Sequence, residues 1–134
     1  MKSKAFFQLF FWVIGVYDVL LGGGFVFFYR NIYAYFQITL PNHPGYIYVP
    51  ALFLVSAGIG EFLIARNLLR NVDLAVVRLL MKLSFASAVF YCYFKYGVPA
   101  IFLFISIASM IGVIINMIFL RWANAENLKV SFKA

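Results

Sequence analysis

Four stretches of this chain, about residues 5–28, 49–67, 74–94 and 99–120, are each long and apolar enough to cross a lipid bilayer as helix. No other feature restricts the fold as strongly. A hydrocarbon core about 30 Å thick takes roughly 20 helical residues. Inside it every backbone N–H and C=O must find a partner within the protein, which leaves helices or a closed barrel. Runs of this length without strict alternation select helices. Composition agrees: 66% of the 134 residues are hydrophobic and 11% are charged, against about 45–50% and 25% in soluble domains. There is too little polar surface to cover a soluble globule, too much apolar sequence for a disordered chain, and one cysteine, Cys92, where a disulfide-built module needs several. The expected class is all-α: a polytopic membrane four-helix bundle forming one domain over 1–134, with no internal repeat.

The links order the spans. Arg66 to Asp73 and the turn at Lys95-Tyr96-Gly97 are short enough to force antiparallel neighbours. The link between the first two spans, 29–48, is longer and holds Pro41-Asn42-His43-Pro44-Gly45, a strong turn signal. Tyr29, Tyr33, Tyr35, Phe36, Tyr46 and Tyr48 flank that turn, and aromatics at this density belong at the headgroup level. A surface loop with a short interfacial helix over 32–38 is therefore expected. Pro50 and Pro99 are expected in the first turns of their helices, where a missing N–H costs nothing. Lys2 and Lys4 precede a long apolar run with no small-residue cleavage site, so the first span is expected to be retained.

Orientation follows from Lys and Arg. Lys2, Lys4, Arg66, Arg70, Arg121, Lys129 and Lys133 fall on one side, and only Arg30 and Lys95 on the other. Both termini are expected to be cytoplasmic, in a bacterial inner membrane. The net charge of +7 then marks a face toward anionic lipid rather than toward nucleic acid. The tail after Arg121 is too short to fold alone.

Four charged residues fall inside the spans: Asp18, Glu61, Arg78 and Lys82. Each would cost at least about 2.5–3.5 kcal/mol at the bilayer centre. Spacing shows how they are tolerated. Gly15, Asp18 and Gly22 share one helical face. So do Ala57, Gly58, Glu61 and Ala65, then Arg78, Lys82 and Ala86, and in the last span Ser106, Ser109, Gly112 and Asn116. Each span thus carries one stripe of small and polar residues, the kind that lets membrane helices approach closely and bond to one another. The stripes are expected to face inward and to gather two acids and two bases. Such a cluster is either a salt-bridge network that fixes helix pairing or a polar pocket or relay. Arg78, nearer the cytoplasmic end, has the option of snorkelling, so Asp18, Glu61 and Lys82 form the stronger set, with Ser109 and Asn116 as further lining.

Gly22-Gly23-Gly24 weakens the first helix by roughly 1 kcal/mol per residue relative to Ala. It marks either close packing or a local break beside a binding site. His43 alone in a Pro-rich turn is a poor metal site, and none of the serines has a nearby histidine base. No catalytic residue is expected. Cys92 reads as a small buried hydrophobe within an aromatic anchor, Tyr91 to Phe94.

The runs GVYDVLLGGGF, HPGYIYVPALFLVSAGIGEFLIARN and RLLMKL resemble the DoxX-like group of small four-helix membrane proteins over about residues 10 to 120. Ser109 stands where some similar sequences carry an acid in the last helix. The resemblance implies an accessory role in quinone-linked oxidation, with Asp18, Glu61 and Lys82 lining a quinone-sized or lipid-sized pocket. The expected function is an integral membrane accessory or subunit protein, not an enzyme on its own, that holds a hydrophobic small molecule such as quinone or lipid. Its expected partners are the bilayer, further copies of itself or other membrane subunits. The alternative is a small oligomeric transporter or channel that uses the same charges as a proton or substrate relay.

Overall fold

The computed structural model describes residues 2–133, with the side chains of 132 and 133 outside the description; Lys133, counted in the orientation argument, is one of these. The described residues form four helices: α1 Lys2–Tyr35, α2 Gly45–Arg66, α3 Val72–Tyr96 and α4 Ala100–Lys133. All four are long and apolar enough to cross a membrane. Short links make neighbours antiparallel, so the start of α1, the 67–71 link and the end of α4 lie at one end of the bundle. The 36–44 loop and the turn at Gly97 lie at the other. Gly97 adopts φ 74° and closes α3 with its N–H on the Tyr93 carbonyl, a conformation that a side chain would strain.

The boundaries differ from expectation in four places. The 32–38 interfacial helix is instead the end of α1, which turns at Phe28 (φ −125°, ψ 18°) and continues to Tyr35. α2 starts earlier, with Pro44 at its N-cap. Pro50 is therefore inside the helix and not in its first turn, and it withholds the N–H that the Tyr46 carbonyl would otherwise accept. Pro99 likewise precedes the first residue of α4 instead of sitting inside it. The segment after Arg121 extends α4 to Lys133. It contains no Gly or Pro to stop the helix, and Ala123 is fully buried with Trp122 packed against the same core.

The bundle is two tight hairpins. In α1–α2 the small residues let backbones touch: a Cβ on Gly58 would lie 2.7 Å from the Gly15 carbonyl oxygen, and one on Gly22 would lie 2.6 Å from that of Ala51. α3 and α4 form the second pair, tied by the Asn116 amide donating to the Ala75 carbonyl at 3.1 Å. At the end that carries the termini the hairpins close on one apolar core. Phe7, Phe11, Ile64, Leu68, Ala75 and Phe119 are buried there, and Phe119 meets Phe7 and Phe11 edge to face at 5.4 and 4.9 Å, a favoured ring geometry. Toward the other end burial falls away. Beyond Lys82, Ala86 is the only buried residue of α3, and beyond Gly22 α1 has none.

Candidate functional site

The inward stripes meet. Asp18, Glu61, Arg78 and Lys82 are all buried, and they form one connected cluster at the mid-depth of the bundle. Arg78 is its hub. Its Nη2 donates to Asp18 Oδ2 at 2.6 Å and its Nε to Glu61 Oε1 at 3.1 Å, while Nη1 reaches the Met81 sulfur at 3.6 Å. The Lys82 ammonium donates to Glu61 Oε1 and lies 3.9 Å from Asp18 Oδ2. The expectation that Arg78 was the weaker member is thus corrected. A guanidinium has five donors in a rigid fork, and two carboxylates one helix away hold it more firmly than a route to the interface would.

The charges are divided by hairpin. Both acids belong to α1–α2 and both bases to α3, so the cluster is the polar seam between two units that are otherwise joined by the apolar core below. Two charges of each sign leave it formally neutral. It is not saturated. Glu61 Oε1 takes both bases while Glu61 Oε2, fully buried, has no hydrogen-bond partner among the described residues.

Above the cluster, toward the end away from the termini, lies a cavity of about 440 Å³ to which all four helices contribute. Its floor is Asp18, Arg78 and Lys82. Its walls are aromatic and aliphatic: Tyr17, Phe25 and Tyr33 from α1, Tyr46, Phe53 and Leu54 from α2, Met81 and Phe85 from α3, Phe102 and Ile105 from α4. The volume falls within the usual range for a small-molecule site, about 300–1,000 Å³, and the arrangement of an apolar lining with a few convergent polar groups is also usual. Pro50 and Tyr46 line it together, so the helix irregularity borders the cavity. No residue of the terminal-end core takes part in the lining.

The other expected site residues divide. Ser109 lines the cavity and donates to the Ile105 carbonyl at 3.0 Å, so its oxygen can still accept. Asn116 is placed elsewhere, in the α3–α4 contact, where it serves helix pairing. Gly22 packs on α2, whereas a Cβ on Gly23 or Gly24 would meet nothing within 4 Å. The helix runs through all three; its one irregular residue is Phe28, a turn later. Gly22 lies directly against the Ala51 and Val55 backbone of α2.

The aromatic walls were missed in the sequence, although the spacing held a signal. Phe25 is seven residues from Asp18 and Phe85 three from Lys82, so each shares a face with a charge that was recognised. Comparison with protein-family models, with curated proteins and with solved structures gives no match for this chain.

Proposed function

We propose that this chain is a multi-pass protein of the bacterial inner membrane, termini in the cytoplasm, that holds a hydrophobic small molecule such as a quinone or lipid in the four-helix cavity. It acts as an accessory or subunit protein, with copies of itself or other membrane subunits around it, and not as an enzyme alone. One observation carries this reading: an aromatic-walled cavity ends on a neutral cluster of buried charges, and a packed apolar core fills the bundle beneath. A receptor for a molecule arriving from the lipid needs one open end and one polar stop. A conducting path needs two open ends, so the geometry favours binding over the relay. The DoxX-like resemblance is part of the proposal; it rests on the Asp18, Glu61 and Lys82 segments alone.

The test is native mass spectrometry of the protein released gently from its own membrane. A retained apolar molecule, lost when Leu54→Trp fills the cavity, is the expected result. Solute or proton flux by the purified protein in liposomes, abolished by Asp18→Asn, would instead establish the relay.

A further inference from the structure

We infer that the cavity selects an uncharged head group that both donates and accepts a hydrogen bond, a hydroxyl or phenol on an apolar body, over ionised heads and heads that only accept. The inference rests on the binding reading above and deepens it. It comes from the hydrogen-bonding capacity left at the cavity floor. Asp18 Oδ2 takes Arg78 at 2.6 Å and faces Lys82 at 3.9 Å, while Asp18 Oδ1 accepts no hydrogen bond among the described residues. An ammonium has three donors; Lys82 places one on Glu61 Oε1, which leaves it donors to spare. Asp18 and Lys82 both line the cavity. The floor therefore offers an unused acceptor beside an unused donor.

Each class of head meets that pair differently. A carboxylate or phosphate would be attracted by Arg78 and Lys82 and repelled by Asp18, but both bases are already paired with the acids of the cluster. With Glu61 beneath, the cluster as a whole is neutral, and little net attraction offsets the loss of the anion's hydration. An ammonium has the mirror-image difficulty. A ketone, ether or ester oxygen can accept from Lys82, but it sets its lone pairs against Asp18 Oδ1. A hydroxyl satisfies both residues at once: it donates to Asp18 and accepts from Lys82. Ser109 adds an acceptor on the same wall, because its own proton is held by the Ile105 carbonyl. Within the classes proposed above, the cavity then holds the reduced ring diol better than the quinone itself, and a lipid with a free hydroxyl head better than one with an ionised head.

The experiment uses the wild-type protein in phosphatidylcholine nanodiscs with three probes of one body: para-dodecylphenol, its methyl ether and para-dodecylbenzoate. Binding is read by native mass spectrometry and by the thermal unfolding midpoint, at equal mole fraction in the membrane. The phenol is expected to be retained and to raise the midpoint. The ether and the benzoate are expected to bind at least about tenfold more weakly, as in sites built to hydrogen-bond a hydroxyl. Leu54→Trp, which narrows the cavity without touching the cluster, should abolish retention of the phenol. Equal binding of phenol and ether would overturn the head-group inference while leaving the cavity a binding site. Phenol binding unchanged in Leu54→Trp would overturn it too, by placing the ligand elsewhere. Failure of all three probes to bind would overturn the binding reading itself.

Discussion

Two neighbouring glycines should respond oppositely to the same methyl group. In Gly22→Ala the new Cβ would lie 2.6 Å from the Ala51 carbonyl oxygen, 2.8 Å from Val55 Cγ2 and 3.0 Å from the Val55 nitrogen. Two of those atoms are backbone and cannot rotate away. Ordinary contact near 3.5 Å would require the helices to part by about 0.9 Å, which would also loosen the Gly15–Gly58 contact further along the same crossing. Overpacking of this kind costs about 1–3 kcal/mol. In Gly23→Ala the Cβ meets nothing within 4 Å, so only the helix-propensity gain of about 1 kcal/mol remains. That gain is common to both variants and cancels in their difference, leaving Gly22→Ala about 1–3 kcal/mol less stable than Gly23→Ala. The assay is denaturant unfolding in mixed micelles followed by tryptophan fluorescence, since Trp12 rests on Phe62 of α2 at 5.0 Å and reports the same hairpin. Equal destabilisation by the two substitutions would refute the α1–α2 crossing described above.

Other expectations follow from the cluster and the core. Lys82→Met should cost about 3–5 kcal/mol by leaving Glu61 under-compensated. Adding Glu61→Gln should recover part of that loss, and a double-mutant cycle on unfolding free energies measures the coupling. Arg78→Met, which removes the hydrogen bond on Asp18 and one of the two on Glu61, should be the more damaging of the two single changes in the same assay. Phe119→Ala, which removes a fully buried ring between Phe7 and Phe11, should cost about 3–5 kcal/mol and leave ligand retention by any folded protein intact. A reporter fused after the last residue should be active only in its cytoplasmic form; activity of a periplasm-only reporter would reverse the proposed orientation.

Much of this was legible in the sequence because helical spacing fixes faces. Asp18 with Gly15 and Gly22, Glu61 with Ala57 and Ala65, and Arg78 with Lys82 and Ala86 each defined a stripe, and those stripes are the buried faces. Spacing does not fix neighbours. That Arg78 serves two acids depends on how α3 meets α1 and α2, and no single-helix pattern encodes it. The same limit separates Asn116 from Ser109: both lie on the α4 stripe, but one faces α3 and the other opens on the cavity. The glycine run was half legible. Gly22 is seven residues from Gly15 and so shares its face, whereas Gly23 and Gly24 step off it. The length of α4 was hidden because hydropathy ends near Leu120 while no Gly or Pro follows to stop the helix.

The division of charge between hairpins bears on how the chain is made. Synthesis delivers α1 and α2 first, and with them Asp18 and Glu61, before either base of α3. On insertion scales the two acids together disfavour that hairpin in hydrocarbon by about 5–7 kcal/mol. The remedy arrives only with α3, which carries both bases one turn apart. In the membrane setting proposed above, a chain cut short before Arg78 would present two uncompensated acids to hydrocarbon, and it is expected to insert less well than the four-helix bundle.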